Sequence, residues 1–95
     1  MITDLLREEL SRRMNSTVSQ PKVNGQFMTN YTNALIESNT AFRQTITLPD
    51  NFGTIESLQI QDGVEQDLAT FTLFAPQVEG TLVKLVFEMR IEEAI

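Results

Sequence analysis

Leu82-Val83-Lys84-Leu85-Val86-Phe87-Glu88-Met89-Arg90-Ile91-Glu92 is the run on which the fold turns. Val83, Leu85, Phe87, Met89 and Ile91 alternate with Lys84, Glu88, Arg90 and Glu92, and only Val86 breaks the rhythm. Successive side chains of a strand point to opposite faces, so this period of two predicts a strand from Leu82 to about Glu92 with one apolar face.

Upstream, the same period recurs from Ala41. Phe42, Gln44, Ile46 and Leu48 alternate with Arg43, Thr45 and Thr47 until Pro49-Asp50-Asn51-Phe52-Gly53 stops the run. Residues 55–61 read as a second strand with Leu58 and Ile60 inward, and Asp62-Gly63 opens the turn that follows it. Residues 68–75 read as a third strand, closed by Pro76 and Gly80. Short connections favour antiparallel neighbours, so the simplest arrangement of residues 41–95 is a four-strand meander in chain order.

The first fourteen residues carry a different period. Ile2, Leu5, Leu6, Leu10 and Met14 recur at spacings of three and four, which predicts an amphipathic helix over 2–14 with that stripe packed on the core. Thr3 or Asp4 caps it, and Glu8/Arg12 and Glu9/Arg13 are i,i+4 pairs in the favourable order. Residues 15–40 form a polar connecting segment in which only Lys22 and Glu37 are charged. There, Asn24-Gly25 resembles a two-residue hairpin turn, while Phe27, Tyr31 and Leu35 at i, i+4 and i+8 favour a short helix near 30–37. The expected fold is a single α+β domain: an N-terminal helix, then an antiparallel meander of about four strands.

Composition narrows the chemistry. Among 95 residues there is no His and no Cys, which removes imidazole bases, thiolate nucleophiles and nearly all zinc, copper and haem-iron ligation. Lys22 and Lys84 are the only lysines, and the four glycines sit at turns rather than in a phosphate loop. Asp62, Glu65 and Asp67 crowd one turn, but their spacing does not match a calcium loop, so no metal or cofactor is expected. Asn15-Ser16-Thr17 and Asn30-Tyr31-Thr32 match the glycosylation pattern by chance.

The net charge of −6 opposes a sequence-independent grip on nucleic acid. It is also uneven: residues 1–43 carry five bases against four acids, whereas residues 44–95 carry two bases against nine acids. No run approaches the roughly 20 apolar residues of a membrane span, and the charged N-terminus lacks the apolar core of a signal peptide. The expectation is a soluble protein, cytoplasmic or part of a particle assembled inside a cell.

One helix about 10 Å wide covers only about two of four strands spaced about 4.8 Å apart. The rest of the apolar face needs cover from residues 27–37 or from a second copy. An eleven-residue last strand would also overhang its neighbours and offer itself for edge-to-edge pairing, unless residues 90–95 turn helical and pack locally. Val83, Leu85, Phe87, Met89 and Ile91 are therefore the candidate interface. The expected function is a non-enzymatic structural or protein–protein interaction module, a homo-oligomer or a component docked to a protein partner, by analogy an accessory part of a virion or tail. Two alternatives are a small-ligand binder or simple enzyme using Tyr31, Arg43 and carboxylates in a pocket between sheet and helices or at a dimer interface, and an acidic adaptor or inhibitor that binds a basic partner.

Overall fold

A helix, α1 (Asp4–Thr17), opens the chain. The Thr3 hydroxyl accepts from the Leu6 amide at 3.3 Å, and the helix ends where Val18 turns extended and donates to the Met14 carbonyl. The computed structural model describes residues 1–77 and 80–93. Among the described residues seven strands follow: β1 (Lys22–Val23), β2 (Gln26–Phe27), β3 (Tyr31–Ile36), β4 (Ala41–Thr47), β5 (Ile55–Gln61), β6 (Asp67–Ala75) and β7 (Lys84–Arg90).

The α+β class holds, and a β-meander fits the three consecutive antiparallel hairpins β1–β2, β3–β4 and β5–β6. The strands divide between two sheets, however, one in the order β2-β1-β5-β6 and the other β3-β4-β7. The expected chain-order pairing of the four long strands is thus corrected. Strand β4 pairs with β7, not with β5, because Pro49, the turn at Asp50–Asn51 and Gly53 carry the chain out of the first sheet after Leu48.

The second sheet supplies most of the cover that the first one needs. Val23, Leu58 and Ile60 meet Phe42, Ile46 and Leu48 in one buried cluster between the two layers. Helix α1 packs on β3 and β4, so the three-stranded sheet is roofed partly by the helix and partly by the other sheet. Placing these roofs end to end lengthens the molecule to 46 × 26 × 23 Å. Its radius of gyration is 14.6 Å, against about 12 Å for a compact chain of this length.

Residues 31–36 form strand β3 rather than the expected helix near 30–37. A spacing of four is a multiple of two as well as one helical turn, so Tyr31 and Leu35 also share a strand face, with Asn33 between them. Glu37, Ser38 and Asn39 then take φ of 54°, 57° and 69°, a reversal that feeds directly into β4. The Asn24–Gly25 turn is formed as expected, with φ of 53° and 76°. Asn24 also locks the hairpin to β5: its Oδ1 accepts from the Glu56 and Ser57 amides, and its Nδ2 donates to the Thr54 carbonyl.

The helix docks on a face other than the expected one. Ser11 is completely buried, whereas Leu5, Leu6 and Leu10 are 71%, 45% and 38% exposed. Met14 of the expected stripe does pack against the core cluster, and Leu5 and Leu6 are left facing outward. Two sheet amides hold the chain where it leaves the helix: Asn33 Nδ2 donates to the Val18 carbonyl, and Gln44 Nε2 donates to the Ser19 carbonyl and to Asn33 Oδ1. Of the two expected helix pairs, Glu8–Arg12 forms at 3.8 Å, and Glu9–Arg13 makes no ion pair.

Candidate interface along the free edge of β7

Strand β7 is seven residues long, equal to β4, and pairs with it from end to end. The expected overhang of an eleven-residue strand is therefore absent. Residues 91–93 continue without regular structure, and the alternative of a helical end at 90–95 falls partly on Ala94 and Ile95, outside the described residues. What the fold leaves open is the side of β7 away from β4, which has no strand neighbour among the described residues.

The direction of each backbone group on that edge follows from the ladder. The Leu48 amide donates to the Val83 carbonyl at 3.0 Å, making 48 and 83 a hydrogen-bonded pair. Such pairs alternate in an antiparallel ladder, so Leu85, Phe87 and Met89 also turn their N–H and C=O towards β4. Lys84, Val86, Glu88 and Arg90 turn theirs to the open side. The bond from the Thr47 amide to the Asn30 carbonyl gives the same phase from the other side of β4.

Apolar side chains border this edge along its inner face. One groove of about 410 Å³ lies between β7 and β6, lined by Leu85 and Phe87 on one wall and by Leu58, Phe71 and Leu73 on the other. A second groove of about 250 Å³ lies at Met89 and Ile91, walled by Leu10 and Met14 of the helix. Phe71 stacks obliquely on Phe87 at 5.8 Å between ring centroids yet stays 43% exposed. The five candidate residues thus divide: Val83, Leu85 and Phe87 pack against the core cluster, while Met89 and Ile91 line the second groove. Val86, which the alternation passed over, lies on the outer face of the edge and is 53% exposed. Phe71 and Phe74 are both exposed on β6, itself an edge strand.

The outer face of β7 is fixed by charge. Arg43, directly across from Glu88, donates to it at 2.7 and 2.8 Å. Arg90 bridges Glu88 and Glu37. The Arg43 hydrogen bond, then the Arg90 one, hold the Glu88 carboxyl below its usual range, and the two carboxylates keep Arg90 firmly protonated. A pocket built from Tyr31 and Arg43 is not formed: Tyr31 sits opposite Ile46 on the inner face, and Arg43 lies on the outer one.

Two acids of the turn are committed within the fold: Asp62 Oδ1 accepts from the Val64 and Gln66 backbone amides, and Asp67 accepts from the side-chain amides of Gln59 and Gln61. Among the described residues no group of three or more acidic side chains is placed to share an ion, and no helix is long and apolar enough to cross a membrane. The exposed surface is large for the mass, 6142 Å² against about 5,500 Å² for a compact monomer of 10.8 kDa. No protein-family model matches the chain, nor does any curated protein or solved structure.

Proposed function

We propose that this protein is a non-enzymatic interaction module that self-associates by adding a strand at the free edge of β7, and that it serves as a structural component of a larger assembly. The observation that carries this reading is the coincidence of two unsatisfied features on one line. Outward backbone groups of Lys84, Val86, Glu88 and Arg90 lie beside two apolar grooves, one walled by Phe71 and Leu73 and the other by Leu10 and Met14. An added strand satisfies both features at once: its backbone pairs with the edge, and its inward side chains fill the grooves. A second copy is the favoured occupant because the outer face of the edge is self-complementary: Lys84, which has no ion-pair partner among the described residues, meets Glu88 of an antiparallel copy.

Amide hydrogen exchange followed by NMR at low and high protein concentration tests this. The Leu85, Phe87 and Met89 amides, bonded to β4, exchange slowly at both concentrations. The Lys84, Val86 and Glu88 amides exchange fast when dilute and become protected as concentration rises. Fast exchange of those three at all concentrations would remove self-association through this edge.

A further inference from the structure

We infer that two copies join through an antiparallel, two-fold symmetric β7–β7 pairing centred on Val86, so that Lys84 of each copy lies opposite Glu88 of the other. The inference rests on self-association at this edge and adds its register. A two-fold axis maps the edge onto itself, so residues that face each other have numbers with a constant sum, and that sum is even if both apolar faces are to stay on one side. Three centres use the outward backbone groups and pair at least five residues of the strand with their counterparts: Val86, Phe87 and Glu88.

Charge separates them. A centre at Phe87 sets Lys84 opposite Arg90 twice, and a centre at Glu88 sets the two Glu88 side chains against each other; like charges directly opposite destabilise a ladder. A centre at Val86 places two half-exposed valines on the axis and creates two Lys84–Glu88 pairs. Among the described residues Lys84 has no ion-pair partner within one chain, so this register supplies one.

The inner face agrees with this choice. Leu85 then lies beside the partner's Phe87, and Val83 beside the partner's Met89, filling both grooves with apolar side chains. Helix α1 roofs the Met89–Ile91 end of β7, whereas β6 roofs the Leu85–Phe87 end. An antiparallel partner reverses that order, which brings the helix of each copy alongside β6 of the other. Leu10, at the wall of the second groove, and Phe71, at the wall of the first, both lose solvent there.

The chain has no cysteine, so Thr81→Cys and Glu92→Cys each introduce a single thiol at an exposed position for a spin label. At about 3.4 Å per residue, the Val86-centred dimer gives backbone separations near 34 Å between the two residues 81 and near 41 Å between the two residues 92. A Phe87 centre reverses these values, and a Glu88 centre gives about 48 and 27 Å. Lys84→Glu supplies an independent reading: it weakens the dimer roughly 2- to 30-fold by setting two carboxylates against Glu88, whereas with a Phe87 centre it would strengthen the dimer by pairing with Arg90. Dimers with either alternative distance pattern would overturn the register while leaving self-association in place. A monomer by sedimentation at every concentration would overturn self-association itself.

Discussion

Proline substitution at adjacent positions of β7 separates the edge from the ladder. Val86 directs its N–H away from β4, so Val86→Pro removes a donor that the single chain does not use. Leu85 is already extended, the conformation favoured before proline, so the folding cost is the strain of moving one φ towards about −65°, on the order of 1 kcal/mol. In the dimer the same change deletes both bonds exchanged by the two Val86 residues on the axis. At about 0.5–1.5 kcal/mol each, their loss weakens association roughly 5- to 150-fold. Leu85→Pro acts on the other side. It removes the Leu85 N–H bond to Ile46, strands a carbonyl in the buried ladder and withdraws an apolar side chain from the core, costing about 3 kcal/mol or more. Urea denaturation at low micromolar concentration reads folding, and sedimentation reads association. Wild-type stability should rise with protein concentration, and that of Val86→Pro should not. If Val86→Pro unfolds as readily as Leu85→Pro, the assignment of the two edges is wrong. If it folds and associates like the wild type, β7 is not the interface.

Other perturbations report on separate parts of the structure. Ser11→Ala should leave stability unchanged or raise it by about 1 kcal/mol, since the buried Ser11 hydroxyl has no partner and alanine is the better helix former; thermal unfolding checks this. Asn24→Ala should cost about 2 kcal/mol in urea, because it deletes three side-chain bonds to β5 and its approach and places alanine at φ 53°. The Glu88 carboxyl titrates lower in the folded chain than in the unfolded one, so its contribution is complete above the usual value of 4.5 and is lost as pH falls through the folded value. Denaturation from pH 7 to pH 3 should therefore show the wild type ahead of Glu88→Gln at neutral pH, with the gap closing below about 4.5.

How much of this was legible in the sequence depended on what each pattern encodes. Alternation names the faces of a strand, and it located β4 to β7 within a few residues. It does not name neighbours, so the pairing of β4 with β7 across a long intervening stretch was out of reach. In residues 31–36 an apolar spacing of four satisfied both the helical and the extended period, and only the reversal at Glu37–Asn39 decides between them. Helix α1 was readable from its stripe, yet its fully buried residue is Ser11, and of the stripe Met14 packs against the core cluster while Leu5 and Leu6 face outward. For the candidate interface the useful signal was the irregularity: Val86 is the one apolar residue on the charged face, and it lies on the open edge.

The physical picture is a two-layer domain whose central strands are closed and whose edge strands are only partly covered. Its β4 core residues are fully buried, whereas the β7 and β6 residues of the same apolar faces are only partly covered. That gradient follows from strand order, since β4 is central and both β6 and β7 are edges. Edges of this kind are ordinarily blunted by charge, proline or a covering loop. Here the outer face of β7 carries charge, and its inner face opens on two apolar grooves.

Sedimentation equilibrium of the unmodified chain over a concentration series from low to high micromolar tests the interface most directly. Self-association through β7 predicts a mass that rises from 10.8 kDa towards twice that value as concentration increases. A mass fixed at 10.8 kDa across the whole series would contradict it.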